Sequence, residues 1–317
     1  MDEMKQWDSQ RREQRLLLYS ALVMGVIGAV GLLIGIWSGS QAVLTDGAFS
    51  VIAMIIKLFM LLTSYLVAKE TSKRFQFGYW QMEPIVLFIE GMFILLVVLF
   101  AVAAGIKGLL TGGREVDFGL AIYYGIFFEL LSVSFYFYVK KVNQTLGSNL
   151  VKYDNVSWYV DMVLAGGLLA SFFVAWLMQF TPYAAYSRYV DPLIMLALSL
   201  HMVIPACRIL IPACRQLLCV APTDVHERVQ KAMEESTARF GFKDYVTSVQ
   251  QYGHTKIIEI DILVDKDYPV QSVSKFDEIR NAIDRAIGYP SGQKWVTITF
   301  TTTRRWMAKD YLAEGEG

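Results

Sequence analysis

Residues 153–178 read YDNVSWYVDMVLAGGLLASFFVAWLM. The run is long and apolar enough to cross a bilayer, yet it opens with carboxylate, amide and hydroxyl groups where hydrocarbon tolerates none of them. On a helix Ser157 and Asp161 are four residues apart and share a face. A carboxylate inside a membrane is expensive, so it faces a protein interior or a water-filled cavity. It either serves a function there or pairs with a cationic neighbour. Residues 42–68 repeat the pattern, with Asp46 and Ser50 four apart near one end of an apolar run. If these two faces meet, they surround a cation with oxygen.

The rest of the chain supports a membrane setting. Its 317 residues are 55% hydrophobic and only 18% charged, with a mean hydropathy of +0.40, and the apolar residues come in long blocks. A net charge of zero and the lack of a Lys/Arg cluster argue against a nucleic-acid partner. The first fifteen residues, MDEMKQWDSQRREQR, carry both signs of charge and lack the small-residue exit of a cleavable signal. They are expected to form a cytoplasmic tail, 1–15. Cys207 and Cys214 are seven apart on one helix face, too far to share a coordination sphere, so they and Cys219 read as small packing residues.

A spanning helix needs ~20 apolar residues, and six runs qualify: about 16–37, 42–68, 84–106, 118–139, 156–180 and 192–211. The fold class is therefore an α-helical membrane protein, a six-span transmembrane bundle over 16–211. Short connections make consecutive helices antiparallel neighbours. With the N-terminus inside, the cytoplasmic segments hold Lys5, Arg11, Arg12, Arg15, Lys69, Lys73, Arg74, Lys140, Lys141 and Lys152. The other side has Lys107, Arg114 and Arg188, so both termini are expected in the cytoplasm.

Further polar groups lie within the runs. Lys57 follows Asp46 by eleven residues, which returns it to nearly the same azimuth three turns deeper. Buried charges are tolerated when paired, and Glu90 of the third run or Glu129 of the fourth would satisfy Lys57. Either glutamate is also a candidate proton relay. A lysine within reach of Asp46 would act as an internal surrogate cation. His201 in the sixth run is expected to hydrogen-bond a neighbouring helix, and Pro205 and Pro212 are expected to weaken that helix.

After a junction at 212–222 the composition becomes that of a soluble domain. Asp224 with Glu227 predicts a capping box opening a helix that ends near Arg239. Residues 245–252 and 256–264 alternate as strands around Gly253-His254, with Ile258, Ile260 and Ile262 on one face. A helix over 272–287 and a strand over 294–302 complete a cytoplasmic α+β (αββαβ, ferredoxin-like) domain over 223–305, with 306–317 as a C-terminal tail. Roughly 80 residues are enough for a core of its own. His226, His254 and Asp261 lack ligand spacing and do not read as a metal site.

Several motifs resemble those of the cation diffusion facilitators. The loop into the third helix reads Phe77-Gly78-Tyr79-Trp80-Gln81-Met82-Glu83-Pro84, similar to the family's F/Y-G-Y/H-x-R/K-x-E-P. The fifth helix carries Asp154-x-x-Ser157-x-x-x-Asp161, where the family has D-x-x-H-x-x-x-D or D-x-x-D-x-x-x-D. Asp191-Pro192 opens the sixth helix, and Leu217-Leu218-Cys219-Val220-Ala221-Pro222 resembles the junction into the soluble domain. Ser50 and Ser157 stand where the family places stronger ligands. Tyr79 stands where a histidine can occur.

The resemblance implies a homodimer, formed through the cytoplasmic domain and membrane helices, that exports a divalent metal ion in exchange for protons by alternating access. The metal site would be Asp46, Ser50, Ser157 and Asp161, with Lys57, Glu90 and Glu129 as proton or charge-pair partners. Oxygen donors suit Mn²⁺, Fe²⁺ or Mg²⁺ better than Zn²⁺, which favours His and Cys. The ion is transported substrate, and no cofactor is expected. The expected setting is a bacterial inner (plasma) membrane. Two further readings are a non-transporting dimeric scaffold or sensor and a carrier of a different cation. Without a nucleophile near a base or a cofactor loop, an enzyme is not expected.

Overall fold

The computed structural model describes residues 2–38, 41–69, 73–76, 78–113, 120–269 and 272–307. Phe77 of the loop motif, Arg114, Phe118 at the start of the fourth run and residues 308–317 lie outside them. The chain divides into two compact units, Met1–Cys214 and Arg215–Gly317.

In the first unit six helices are long and apolar enough to span a membrane. They are α1 (Asp2–Ser38), α2 (Gln41–Val67), α3 (Met82–Leu110), α4 (Leu120–Leu146), α5 (Asn149–Met178) and α6 (Val190–Leu217). Several helices outrun their apolar stretches. The charged segment expected as an N-terminal tail continues α1, because Gln, Arg and Glu are good helix formers, and Glu13 accepts a hydrogen bond from Ser64 at 2.5 Å. Helix α4 carries Lys140 and Lys141 past the apolar run. Helix α5 starts seven residues before Val156, at Asn149, because Ser148 caps it, its Oγ accepting from the Val151 N–H at 3.2 Å. Helix α6 runs through Pro205 and Pro212 to Leu217, so the expected junction at 212–222 begins as helix. His201 lies on the exposed side of α6, contrary to the expected contact with a neighbouring helix.

Helices α1 and α2 approach closely through glycines. A Cβ on Gly47 would lie 2.6 Å from the Leu32 nitrogen, and one on Gly35 would lie 2.6 Å from the Leu44 backbone. With little hydrophobic drive between helices in lipid, such backbone contact supplies the packing. The buried core of this unit, including Leu17, Met24, Ile27, Met60, Val98, Val139, Val151, Trp158 and Met202, draws on all six helices.

The second unit contains α7 (Thr223–Phe240), β1 (Asp244–Tyr252), β2 (Thr255–Leu263), α8 (Val273–Ile287) and β3 (Lys294–Thr301). The strand order is β1-β2-β3, with β1 antiparallel to β2 (Val249 opposite Ile258) and β2 parallel to β3 (Ile258 opposite Val296). The parallel pair requires the crossover that α8 provides. Ile258, Ile260 and Ile262 are fully buried beneath Val225, Val229 and Met233 of α7 and Ile279, Ile283 and Ile287 of α8. The expected capping box does not form: Pro222 is the N-cap residue, without a side-chain cap, and Asp224 falls in the first turn. Both helices end at left-handed glycines, Gly241 (φ 71°) and Gly288 (φ 75°), a backbone state that side chains disfavour.

Candidate functional site

The sequence placed polar residues on α2, α3, α4 and α5, and the fold gathers most of them into two levels of one interior. Helix direction alternates, so a residue later on α2 meets one earlier on α5. Lys57 lies about two turns beyond Ser50, and Asp154 about two turns before Asp161. This register pairs Lys57 with Asp154 and leaves Asp46 and Asp161 to the other level.

The Lys57 level is sealed. Lys57, Asp154 and Ser20 are fully buried, Ser157 is 7% exposed and Glu90 2%. The Lys57 Nζ donates to Asp154 Oδ1 at 2.5 Å and to Ser157 Oγ at 2.9 Å, and it lies 4.9 Å from the centre of the Trp158 ring. Ser20 donates to the two Asp154 oxygens at 2.9 and 2.8 Å and accepts from Trp158 Nε1 at 2.7 Å. Ser157 in turn donates to the Asp154 carbonyl at 3.1 Å. Glu90 feels the charges of both Lys57 and Asp154, and its carboxylate is within hydrogen-bond reach of Ser157. A buried ion pair persists only when its remaining bonding capacity is met, and here serine, tryptophan and a ring face meet it.

The Asp46 level is more open. Asp46 and Asp161 are half-buried, while Ser50 is buried. Tyr124 of α4 donates to Asp46 Oδ2 at 2.8 Å, and Ser50 donates to the Asp46 carbonyl at 3.0 Å. The Tyr124 hydroxyl also reaches Ser50 and feels the charge of Asp161. Asp46 and Asp161 lie close enough to act on each other electrostatically. Gly31 makes this possible, because a Cβ there would sit 2.6 Å from the Tyr124 hydroxyl.

The sequence expectations fare unevenly. Ser50 bonds the Asp46 carbonyl, and Asp161 lies within electrostatic reach of Asp46. Ser157, expected as a ligand, accepts from Lys57, so its hydroxyl is already engaged. Lys57 pairs directly with Asp154, where Glu90 or Glu129 was expected, because α5 presents the nearer carboxylate. Lys57 therefore does not stand against Asp46 as a surrogate cation. Glu129 lies away from the ammonium, against Gly166, where a Cβ would be 2.9 Å from its Oε1, and its buried Oε2 has no hydrogen-bond partner. Among the described residues, no three His, Cys, Asp or Glu side chains converge as a metal-binding group. Sequence reasoning missed Tyr124, Ser20 and Trp158. A serine within the first apolar run was a usable signal for Ser20, whereas nothing in the spacing singled out Tyr124.

Half-buried carboxylates from two spanning helices within electrostatic reach of each other suit a cation pathway. The model of the cation efflux transmembrane domain matches residues 17–218. The chain belongs to the cation efflux family. No curated protein matches it. Membership agrees with six spanning helices followed by a small three-stranded domain. It makes this cation efflux protein a multi-pass transporter.

Proposed function

We propose that the protein exports a divalent metal ion held between Asp46 and Asp161, in exchange for protons, by alternating access. One observation carries the reading: the half-buried carboxylate pair shares Tyr124 and Ser50 on a level of its own, while the nearest cation, Lys57, is committed to Asp154 in the sealed level. Two aspartates neutralise a divalent charge, and Ser50 and Tyr124 add neutral oxygens. A protonated carboxylate binds metal poorly, so metal binding and proton binding exclude each other. Donors of oxygen alone favour Mn²⁺, Fe²⁺ or Mg²⁺ over Zn²⁺.

The proposal includes a homodimer in a bacterial plasma membrane with both termini cytoplasmic, an orientation supported by Lys69, Lys73, Arg74, Lys140, Lys141 and Lys152 on one side. In proteoliposomes, Asp161→Asn is expected to abolish metal-driven proton flux, and Mn²⁺ is expected to move faster than Zn²⁺ through the wild type. Unchanged flux in Asp161→Asn defeats the proposal.

A further inference from the structure

Lys57 is among the largest fully buried side chains, and its ammonium is held as an ion is held in a binding site. It meets a carboxylate oxygen at 2.5 Å, a hydroxyl at 2.9 Å and an aromatic face at 4.9 Å. A second carboxylate, Glu90, lies within electrostatic reach. The groups around it are themselves fixed: Ser20 bonds both Asp154 oxygens and is anchored by the Trp158 indole. A lysine needed only to join helices would be served by one carboxylate, and a sealed apolar contact would hold them as well. We infer that Asp154, Ser157 and Glu90 form a second cation subsite that the chain fills with its own Lys57. This tethered cation keeps a second ion out and leaves the pair Asp46–Asp161 as the cargo position.

Two consequences separate this from a purely structural pair. First, Lys57→Met removes the ammonium while the Asp154 carboxyl, Ser157 and Glu90 remain around its place, so a free cation of ammonium size should replace the side chain. Second, Asp154→Asn releases the ammonium to Asp161 and Glu90, both of which already feel its charge. Lys57 then competes with cargo at a position it does not normally occupy. This second consequence rests on the carrier reading above, whereas the first does not.

Thermal unfolding of the full chain in detergent, with K⁺ exchanged for choline at constant ionic strength, tests the first. The Tm of Lys57→Met should rise with K⁺, while wild type and the Lys57→Met/Asp154→Asn double variant stay flat. A Lys57→Met protein as indifferent to K⁺ as wild type overturns the inference. If Lys57→Met does not fold, Mn²⁺ binding decides the matter. Asp154→Asn should weaken Mn²⁺ binding by on the order of tenfold, and removing Lys57 from that variant should restore it to within about threefold. Unchanged affinity in Asp154→Asn, or a double variant as weak as Asp154→Asn, overturns the inference. A wild type that binds no Mn²⁺ refutes the carrier reading instead, and the K⁺ comparison then stands as the test.

Discussion

Ser20→Ala probes how the sealed level is held together. The Ser20 hydroxyl bonds both Asp154 oxygens at 2.9 and 2.8 Å and accepts from Trp158 Nε1 at 2.7 Å, with all three residues fully buried. Its removal costs one hydrogen bond to a charged group, about 1.5–3 kcal/mol, and strands a buried indole N–H at about 1–3 kcal/mol. The single variant should therefore lose about 3–5 kcal/mol. Trp158→Phe removes the indole donor, so in that background Ser20→Ala no longer strands it. The double variant should cost less than the sum of the singles by about 1–3 kcal/mol, the share due to the stranded donor. Reversible denaturant unfolding in detergent micelles measures this cycle. Single costs that add to within about 0.5 kcal/mol would refute the claim that Ser20 couples Trp158 to Asp154.

The remaining predictions bear on the rest of the bundle. Glu129→Gln should leave metal-driven flux in proteoliposomes near wild type, because Glu129 packs against Gly166 and its buried Oε2 has no hydrogen-bond partner; loss of flux would return it to the site. Gly47→Leu should abolish folded protein, read as loss of a monodisperse chromatography peak, since its Cβ alone would meet the Leu32 nitrogen at 2.6 Å. Glu90→Gln should retain Mn²⁺ binding but lower the number of protons moved per metal ion in a stoichiometry assay, because the carboxylate is buried beside the site without serving as a cargo ligand. An unchanged ratio removes Glu90 from the proton path.

The bundle was legible because each span is an apolar block longer than a bilayer is thick, a signal that survives without knowledge of partners. The fold of the C-terminal unit was legible from the period-two isoleucines of β2 and the turn at Gly253. Helix ends were not. Nothing in hydropathy marks where α1 starts or α4 stops, because charged residues that leave the bilayer continue a helix readily. Within the site, spacing along one helix identified Asp46 with Ser50 and Ser157 with Asp161 as shared faces. It gave no register between α2 and α5, and that register decides whether Lys57 meets Asp46 or Asp154. The donors that finish the network, Tyr124 and Ser20, come from α4 and α1, and a single sequence carries no trace of such distant pairings.

The separation of the two levels bears directly on the carrier reading. An ammonium bonded to Asp154 and backed by Trp158 still acts on Asp161 through a poorly screening interior, but it does not ligate Asp161. Its influence on Asp161 is therefore a field and not a bond. Four carboxylates, Asp46, Glu90, Asp154 and Asp161, share this interior with one lysine, and the Asp154 charge is matched by its nearest partner. Of the other three, Glu90 lies in the sealed level, and Asp46 and Asp161 are half-buried. On the proposed carrier reading an arriving ion would meet its attraction at the Asp46 level, while the Lys57–Asp154 bond ties α2 to α5 in the sealed level.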